Sequence, residues 1–193
     1  MVARRTLNLP PERPILISVG SLQVKKNHTL LIDALKKVVQ QGHQPLLVLL
    51  GDGNQRKALE EQVAQLGLTK HVRFCGRVNN VDDYLRAADL FVLPSLVEGL
   101  SNALLEAMSY GLPCIASDIA GNRRVIRGGE NGLLFALNDR LALSEVILAL
   151  LSNSTEAKRL GEAAYQTIMA EYSIEQVAQR YLNLYQNLLD RTT

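Results

Sequence analysis

From Pro14 to Asp118 the chain repeats one pattern: a short apolar run closed by a turn residue, then a segment with helical periodicity. The runs are PILISVG (14–20), PLLVLLG (45–51), HVRFCG (71–76), DLFVLPS (89–95) and PCIASD (113–118), with GLLFA (132–136) as a weaker sixth. They are apolar without alternation, which suits strands covered on both faces, and segments 27–41, 54–66, 81–87 and 102–110 between them carry helical spacing. Strands alternating with helices imply parallel βαβ units. The predicted fold is α/β: a Rossmann-like, doubly wound parallel sheet of about six strands with helices on both faces. After Phe135 three helical patterns follow, at 139–151, 155–170 and 174–190. The last is amphipathic through Ile174, Val177, Ala178, Tyr181, Leu182, Tyr185 and Leu188, with Ser173 placed as a cap. It is expected to cover a flank of the sheet or to reach toward a partner domain. Residues 1–13, MVARRTLNLPPER, have no periodicity and read as a linker or lead-in, leaving 14–193 as one domain.

Composition narrows the function classes. A content of 47% hydrophobic and 21% charged residues is that of a globular domain, and 193 residues suffice for a proper core. A formal charge of +2 is too small a basic excess for a surface that tracks nucleic-acid phosphates. No apolar run reaches membrane-span length and no signal-peptide pattern opens the sequence, so a cytoplasmic location is expected. Cys75 and Cys114 each lie inside an apolar run and read as reduced core residues. The histidines, His28, His43 and His71, are scattered and read as surface or helix-end residues. No Asp and His cluster has metal-ligand spacing, so no metal is expected.

Chemistry concentrates between Val97 and Asp118, VEGLSNALLEAMSYGLPCIASD. Ser101 and Asn102 are both capping types, and Gly111 with Pro113 is a stop signal, so a short helix lies between them. Leu104 and Met108 share one helical face and Glu106 falls opposite, away from the core. A helix start behind a glycine favours anions, and carboxylates beside it, Glu98 and Glu106, are acceptor-only groups suited to pairs of hydroxyls. The pattern fits a ligand with an anionic middle and hydroxyl-rich rings at both ends, which describes a nucleotide-sugar. Two solvated glutamates on an ordinary helix are the alternative.

In open parallel sheets ligands bind beyond the carboxyl ends of the strands. Gly20-Ser21 with Lys25-Lys26, Gly51-Asp52-Gly53, Gly76-Arg77-Val78 and Pro94 to Asn102 would gather there. Gly51-Asp52-Gly53 is a poor dinucleotide fingerprint, because Arg56 stands where its third glycine belongs.

Several stretches, in order and in register, resemble the C-terminal, donor-nucleotide half of retaining GT-B glycosyltransferases of family 4, the group 1 glycosyl transferases. They are VGSLQVKKNHTLLIDAL (19–35), LLGDG (49–53), VRFCGRVNNVDDYLRAADLFVLPS (72–95), EGLSNALLEAMSYGLPCIASDIAG (98–121), NGLLF (131–135) and YSIEQVAQRYLNLY (172–185). The family's two glutamates, separated by seven residues, match Glu98 and Glu106. The resemblance implies that Glu98 bonds the transferred sugar, that Glu106 holds the ribose hydroxyls, and that the amides of Gly99, Leu100, Ser101 and Asn102 cradle the diphosphate. Backbone at Arg77 and Val78 would meet the base, and Gly20 and Ser21 would border the diphosphate. Of the family's two cations after the first strand, the lysine matches Lys26, whereas the arginine position holds Ser21. Lys25, Arg123 and Arg124 are candidates for the second charge, and Arg124 stands where many members carry a glutamate.

The implied activity is transfer of a sugar from a UDP- or GDP-sugar, without metal, to an acceptor glycan or lipid-linked glycan in polysaccharide or cell-envelope synthesis. Lys26 and Glu98 would be the catalytic residues. The acceptor would sit on an N-terminal domain absent from these 193 residues, which could also carry peripheral membrane attachment; this chain alone is expected to bind donor and transfer little sugar. A non-catalytic nucleotide-binding descendant, half of a sugar-nucleotide epimerase, and a phosphorylase are the competing readings.

Overall fold

A computed structural model describes residues 2–190. Its elements are α1 (Val2–Thr6), β1 (Ile15–Val19), a single 3-10 turn (Val24–Lys26), α2 (His28–Gln40), β2 (Leu46–Leu50), α3 (Arg56–Gln65), β3 (Val72–Gly76), α4 (Val81–Ala87), β4 (Leu90–Leu93), α5 (Asn102–Ser109), β5 (Cys114–Ser117), α6 (Ala120–Arg123), β6 (Leu133–Phe135), α7 (Arg140–Ser152), α8 (Ser154–Glu171) and α9 (Ile174–Asp190). The six strands form one sheet, in the order β3-β2-β1-β4-β5-β6, and every neighbouring pair is parallel. That is the doubly wound arrangement expected from the unalternated apolar runs. The chain reverses direction across the sheet between β1 and β4, which opens a crevice at their carboxyl ends.

Each strand feeds two cores. Leu16, Leu47, Leu49, Val92 and Ile115 pack on the face covered by α2, α3 and α7. Ile15, Ile17, Val48, Phe91 and Cys114 pack on the face covered by α1, α4, α5 and part of α8. Burial of both faces explains why the strand sequences do not alternate. Burial also pushes the Cys114 thiol up, consistent with an inert core residue; neither cysteine is in a disulfide.

One expectation fails outright and another in one of its two alternatives. Residues 1–13 are not a linker over the part described. The α1 helix packs on α4, Leu9 is buried, and two arginines fasten the segment to the amino ends of the strands. Arg4 donates through Nε to the carbonyl of Ala87 (2.9 Å) and through Nη2 to Asp89 Oδ2 (2.6 Å), and Asp89 also accepts from the Ile15 amide. Arg13 donates to the carbonyls of Gln44, Pro45 and Lys70. Backbone carbonyls leave no mark in sequence, so a basic stretch without periodicity reads as unattached. Arg4→Ala should therefore cost about 1–3 kcal/mol in urea unfolding, through the acceptors it strands; a change within experimental error would return the segment to a lead-in.

Of the two readings of α9, cover for a flank of the sheet is the one that fails. None of its described residues is buried, and its apolar side, with Ile174 84% exposed, faces outward. Amphipathic spacing establishes an apolar face without naming what meets it. The cap is as expected, Ser173 Oγ accepting from the Gln176 amide. Among the described residues no helix is long and apolar enough to cross a membrane.

Candidate functional site

At the β1–β4 crevice the carboxyl-end loops are held close by glycine. Gly51 has φ +134°, and a Cβ on it would stand 1.9 Å from the Gly20 carbonyl oxygen; one on Gly53 would stand 2.3 Å from that of Leu22. The loop after β2 thus lies directly on the loop after β1. The Leu96 amide donates to the Lys25 carbonyl (2.8 Å), tying the loop after β4 to the 3-10 turn. Behind it, Ser117 Oγ donates to the Ser95 carbonyl, and Asn122 Nδ2 donates to the Ser117 carbonyl. A Cβ on Gly121 would fall 2.1 Å from the Glu98 carbonyl oxygen, so α6 abuts the backbone at Glu98.

These contacts bring Lys26 and Glu98, 72 residues apart in sequence, into one ion pair, Nζ donating to Oε1 at 2.5 Å. Both side chains are mostly covered, at 17% and 12% exposed. The Lys26 stem runs over Gly20, with Cε 3.4 Å from where a Cβ would stand. Beside the pair is a cleft of about 410 Å³, bordered by Gly20, Ser21, Gly51, Asp52, Arg77 and Val78. A wider cavity of about 580 Å³ lies at the other end of the sheet, near Leu90 and Pro113. Its Arg4 and Asp89 bind each other and fasten the amino-terminal segment, so it is the less suited to a ligand.

Along α5 the expected geometry is present in part. Ser101 caps the helix, its Oγ accepting from the Leu104 amide at 3.4 Å, while Asn102 is the first helical residue and exposed. Gly99 and Leu100 are exposed ahead of that cap. Leu104, Ala107 and Met108 are buried and Glu106 points away from them, as the helical wheel required. Burial, and after it the charge of Asp82 on α4, raises the Glu106 carboxyl above its ordinary range. Glu106 does not border the 410 Å³ cleft.

The family model described as "Glycosyl transferases group 1" matches residues 2–167. The chain belongs to that family. Lipopolysaccharide core biosynthesis glycosyltransferase LpsE of Rhizobium meliloti is 31% identical over 183 residues, which are 95% of this chain and 53% of that protein. A UDP-Gal:alpha-D-GlcNAc-diphosphoundecaprenol alpha-1,3-galactosyltransferase of Escherichia coli is 36% identical over 138 residues, 70% of this chain and 36% of the other. Among solved structures, sucrose-phosphate synthase of Thermosynechococcus elongatus superposes with a TM-score of 0.85 at 30% identity, covering 98% of this chain and 49% of that one. An Anabaena protein solved with UDP and glucose shares the fold, with a TM-score of 0.87 at 22% identity, covering 95% of this chain and 50% of that one. The group 1 domain therefore spans about half the length of the curated relatives it matches. Its sheet is the Rossmann-like half of a GT-B architecture.

The family motifs do not all converge. Lys26 and Glu98 meet, and Gly20, Ser21, Arg77 and Val78 share the neighbouring cleft. Of the substitutes for the arginine missing at Ser21, Arg123 is bound to Asp118 through two hydrogen bonds, which hold the Asp118 carboxyl below its usual range. Lys25 and Arg124 are exposed. His28 is a helix-end residue, as one of the two readings had it, opening α2, but it is 3% exposed, with Nδ1 unbonded. Burial, and after it the Lys26 charge, lowers its pKa to about 4, so its ring is neutral near pH 7. Sequence reasoning passed over Ser95, Ser117 and Asn122, which brace the Glu98 loop from behind. The signal of the two serines was faint, small polar residues at the ends of apolar runs, and Asn122 lies beyond those runs, in α6.

Proposed function

We propose that this domain is the donor-binding half of a retaining, metal-independent family 4 glycosyltransferase acting on a UDP- or GDP-sugar. The observation that carries the reading is the Lys26–Glu98 pair at the β1–β4 switch point, beside a cleft bordered by Gly20, Ser21, Arg77 and Val78. That crevice is where an open parallel sheet receives a ligand. Arg77 and Val78 meet the base through backbone, and Gly99, Leu100, Ser101 and Asn102 offer amides at the start of α5 to the diphosphate. Glu106 takes the ribose hydroxyls. Burial and, after it, the Asp82 charge disfavour its ionised form, and hydroxyls that donate to the carboxylate favour that form.

Breaking the sugar–phosphate bond builds negative charge on the diphosphate and positive charge on the anomeric carbon. The α5 amides are preorganised for the first, Lys26 joins them once its bond to Glu98 opens, and Glu98 orients the sugar on which the second develops. Retention is supported by resemblance to the two-glutamate motif. The relatives' names, from lipopolysaccharide core synthesis to transfer onto a diphosphoundecaprenol-linked sugar, support an acceptor glycan or lipid-linked glycan and a cytoplasmic, membrane-peripheral setting. The acceptor belongs to the half of those relatives that this chain does not span, so the 193 residues transfer little sugar alone.

Calorimetric titration of this chain with UDP, GDP, ADP and their glucose conjugates tests the reading. Saturable binding of one nucleotide series is expected, and Glu106→Ala should weaken the free diphosphate about tenfold. Absence of saturable binding in every series would overturn the proposal.

A further inference from the structure

The two charged groups assigned to adjoining parts of the donor, Lys26 to the diphosphate and Glu98 to the transferred sugar, hold each other. Lys26 Nζ donates to Glu98 Oε1 at 2.5 Å in a mostly covered setting. The backbones carrying them are braced, by the Leu96 amide on the Lys25 carbonyl and by α6 against the Glu98 carbonyl at Gly121. Separating the charges then falls to side-chain torsions. We infer that Glu98 is an internal counter-ion which competes with the donor's diphosphate for Lys26, and that the sugar hydroxyls release Lys26 by drawing Glu98 onto themselves. This rests on the nucleotide-sugar reading of the site.

The physical case is one of charge. A carboxylate in contact with an ammonium cancels most of the field a phosphate would meet, and a diphosphate entering beside it faces like charge. A bare nucleoside diphosphate offers Glu98 no alternative donors. A nucleotide-sugar does, because the carboxylate only accepts and the sugar presents several hydroxyls close to the diphosphate. The exchange therefore favours the intact donor over the nucleoside diphosphate left after transfer. When the sugar departs, Glu98 returns to Lys26 and the product is weakened in place. Glu98, read from sequence only as a partner of the transferred sugar, thereby also acts on the diphosphate, by competition.

The sign of one substitution distinguishes the two. By calorimetry on the 193-residue chain, Glu98→Gln should bind UDP or GDP about tenfold tighter than wild type, with no change for uridine or guanosine. The preference for UDP-glucose or GDP-glucose over the matching diphosphate should collapse by a similar factor. In a Lys26→Met background Glu98→Gln should leave diphosphate binding unchanged. Glu98→Asp, which keeps the charge but shortens its reach, should give a smaller gain and serves if the Gln variant fails to fold by thermal melting. Unchanged or weaker diphosphate binding by both variants, with wild type still binding, overturns the inference and leaves the proposed function standing. If wild type binds no nucleotide at all, both fall.

Discussion

Gly51→Ala is expected to lower the melting temperature by about 6–12 °C, corresponding to a loss of about 3 kcal/mol for a domain of this size. Two penalties combine. A φ of +134° is strained for any residue with a Cβ, and that Cβ would stand 1.9 Å from the Gly20 carbonyl oxygen, closer than backbone can yield locally. Gly42→Ala is the control, because Gly42 also has a left-handed φ (+91°) but nothing lies within 4 Å of the position its methyl would take. It should cost only about 1 kcal/mol. Equal losses in differential scanning calorimetry would show that backbone strain alone, and not contact between the β1 and β2 loops, makes glycine necessary at 51. Because Gly51 also borders the cleft, its variant should lose nucleotide affinity even below its melting temperature.

The other large effect is acid sensitivity from His28. Its folded pKa, about 4, lies below the unfolded value of 6.5, so the unfolded chain binds the proton first as pH falls. The neutral buried ring is compatible with full stability above pH 6.5, and stability is lost progressively as pH falls from 6.5 toward 4. Between about pH 7.5 and 4.5 this contributes a loss of about 2–3 kcal/mol. Carboxylates such as Asp118, held by Arg123, add their own acid dependence, so the test is a difference. The unfolding free energies of wild type and His28→Leu, measured by urea titration, should differ by that amount more at about pH 7.5 than at about pH 4.5, in the variant's favour at acid pH. Parallel curves for the two proteins would contradict burial of the ring.

Strand and helix positions are legible because burial on both faces writes unbroken apolar runs, and one-sided burial writes a helical period. Leu46–Leu50 and Leu90–Leu93 carry the first signal, and Leu104, Ala107 and Met108 the second. The amino-terminal segment is not legible, because Arg4 and Arg13 bond mainly to carbonyls, which every residue has. His28 escapes for a related reason: whether the first residue of a helix is covered depends on the loop above it.

For the site, the residue types are legible and their relations are not. Glycines, a lysine and two separated glutamates mark the chemistry along the chain, since each type has few alternatives for its task. Sequence by itself determined the parallel α/β architecture, the apolar faces of the helices and the candidate ligand groups, because these follow from local periodicity and side-chain chemistry. Only the tertiary structure decided that Lys26 and Glu98 are bonded to each other, that the charge of Asp82 acts on Glu106, and that α9 leaves its apolar face uncovered. The physical reason is that Coulomb contact and burial depend on distances through space, and those distances are set by strand order, which the one-dimensional pattern of apolar runs leaves open.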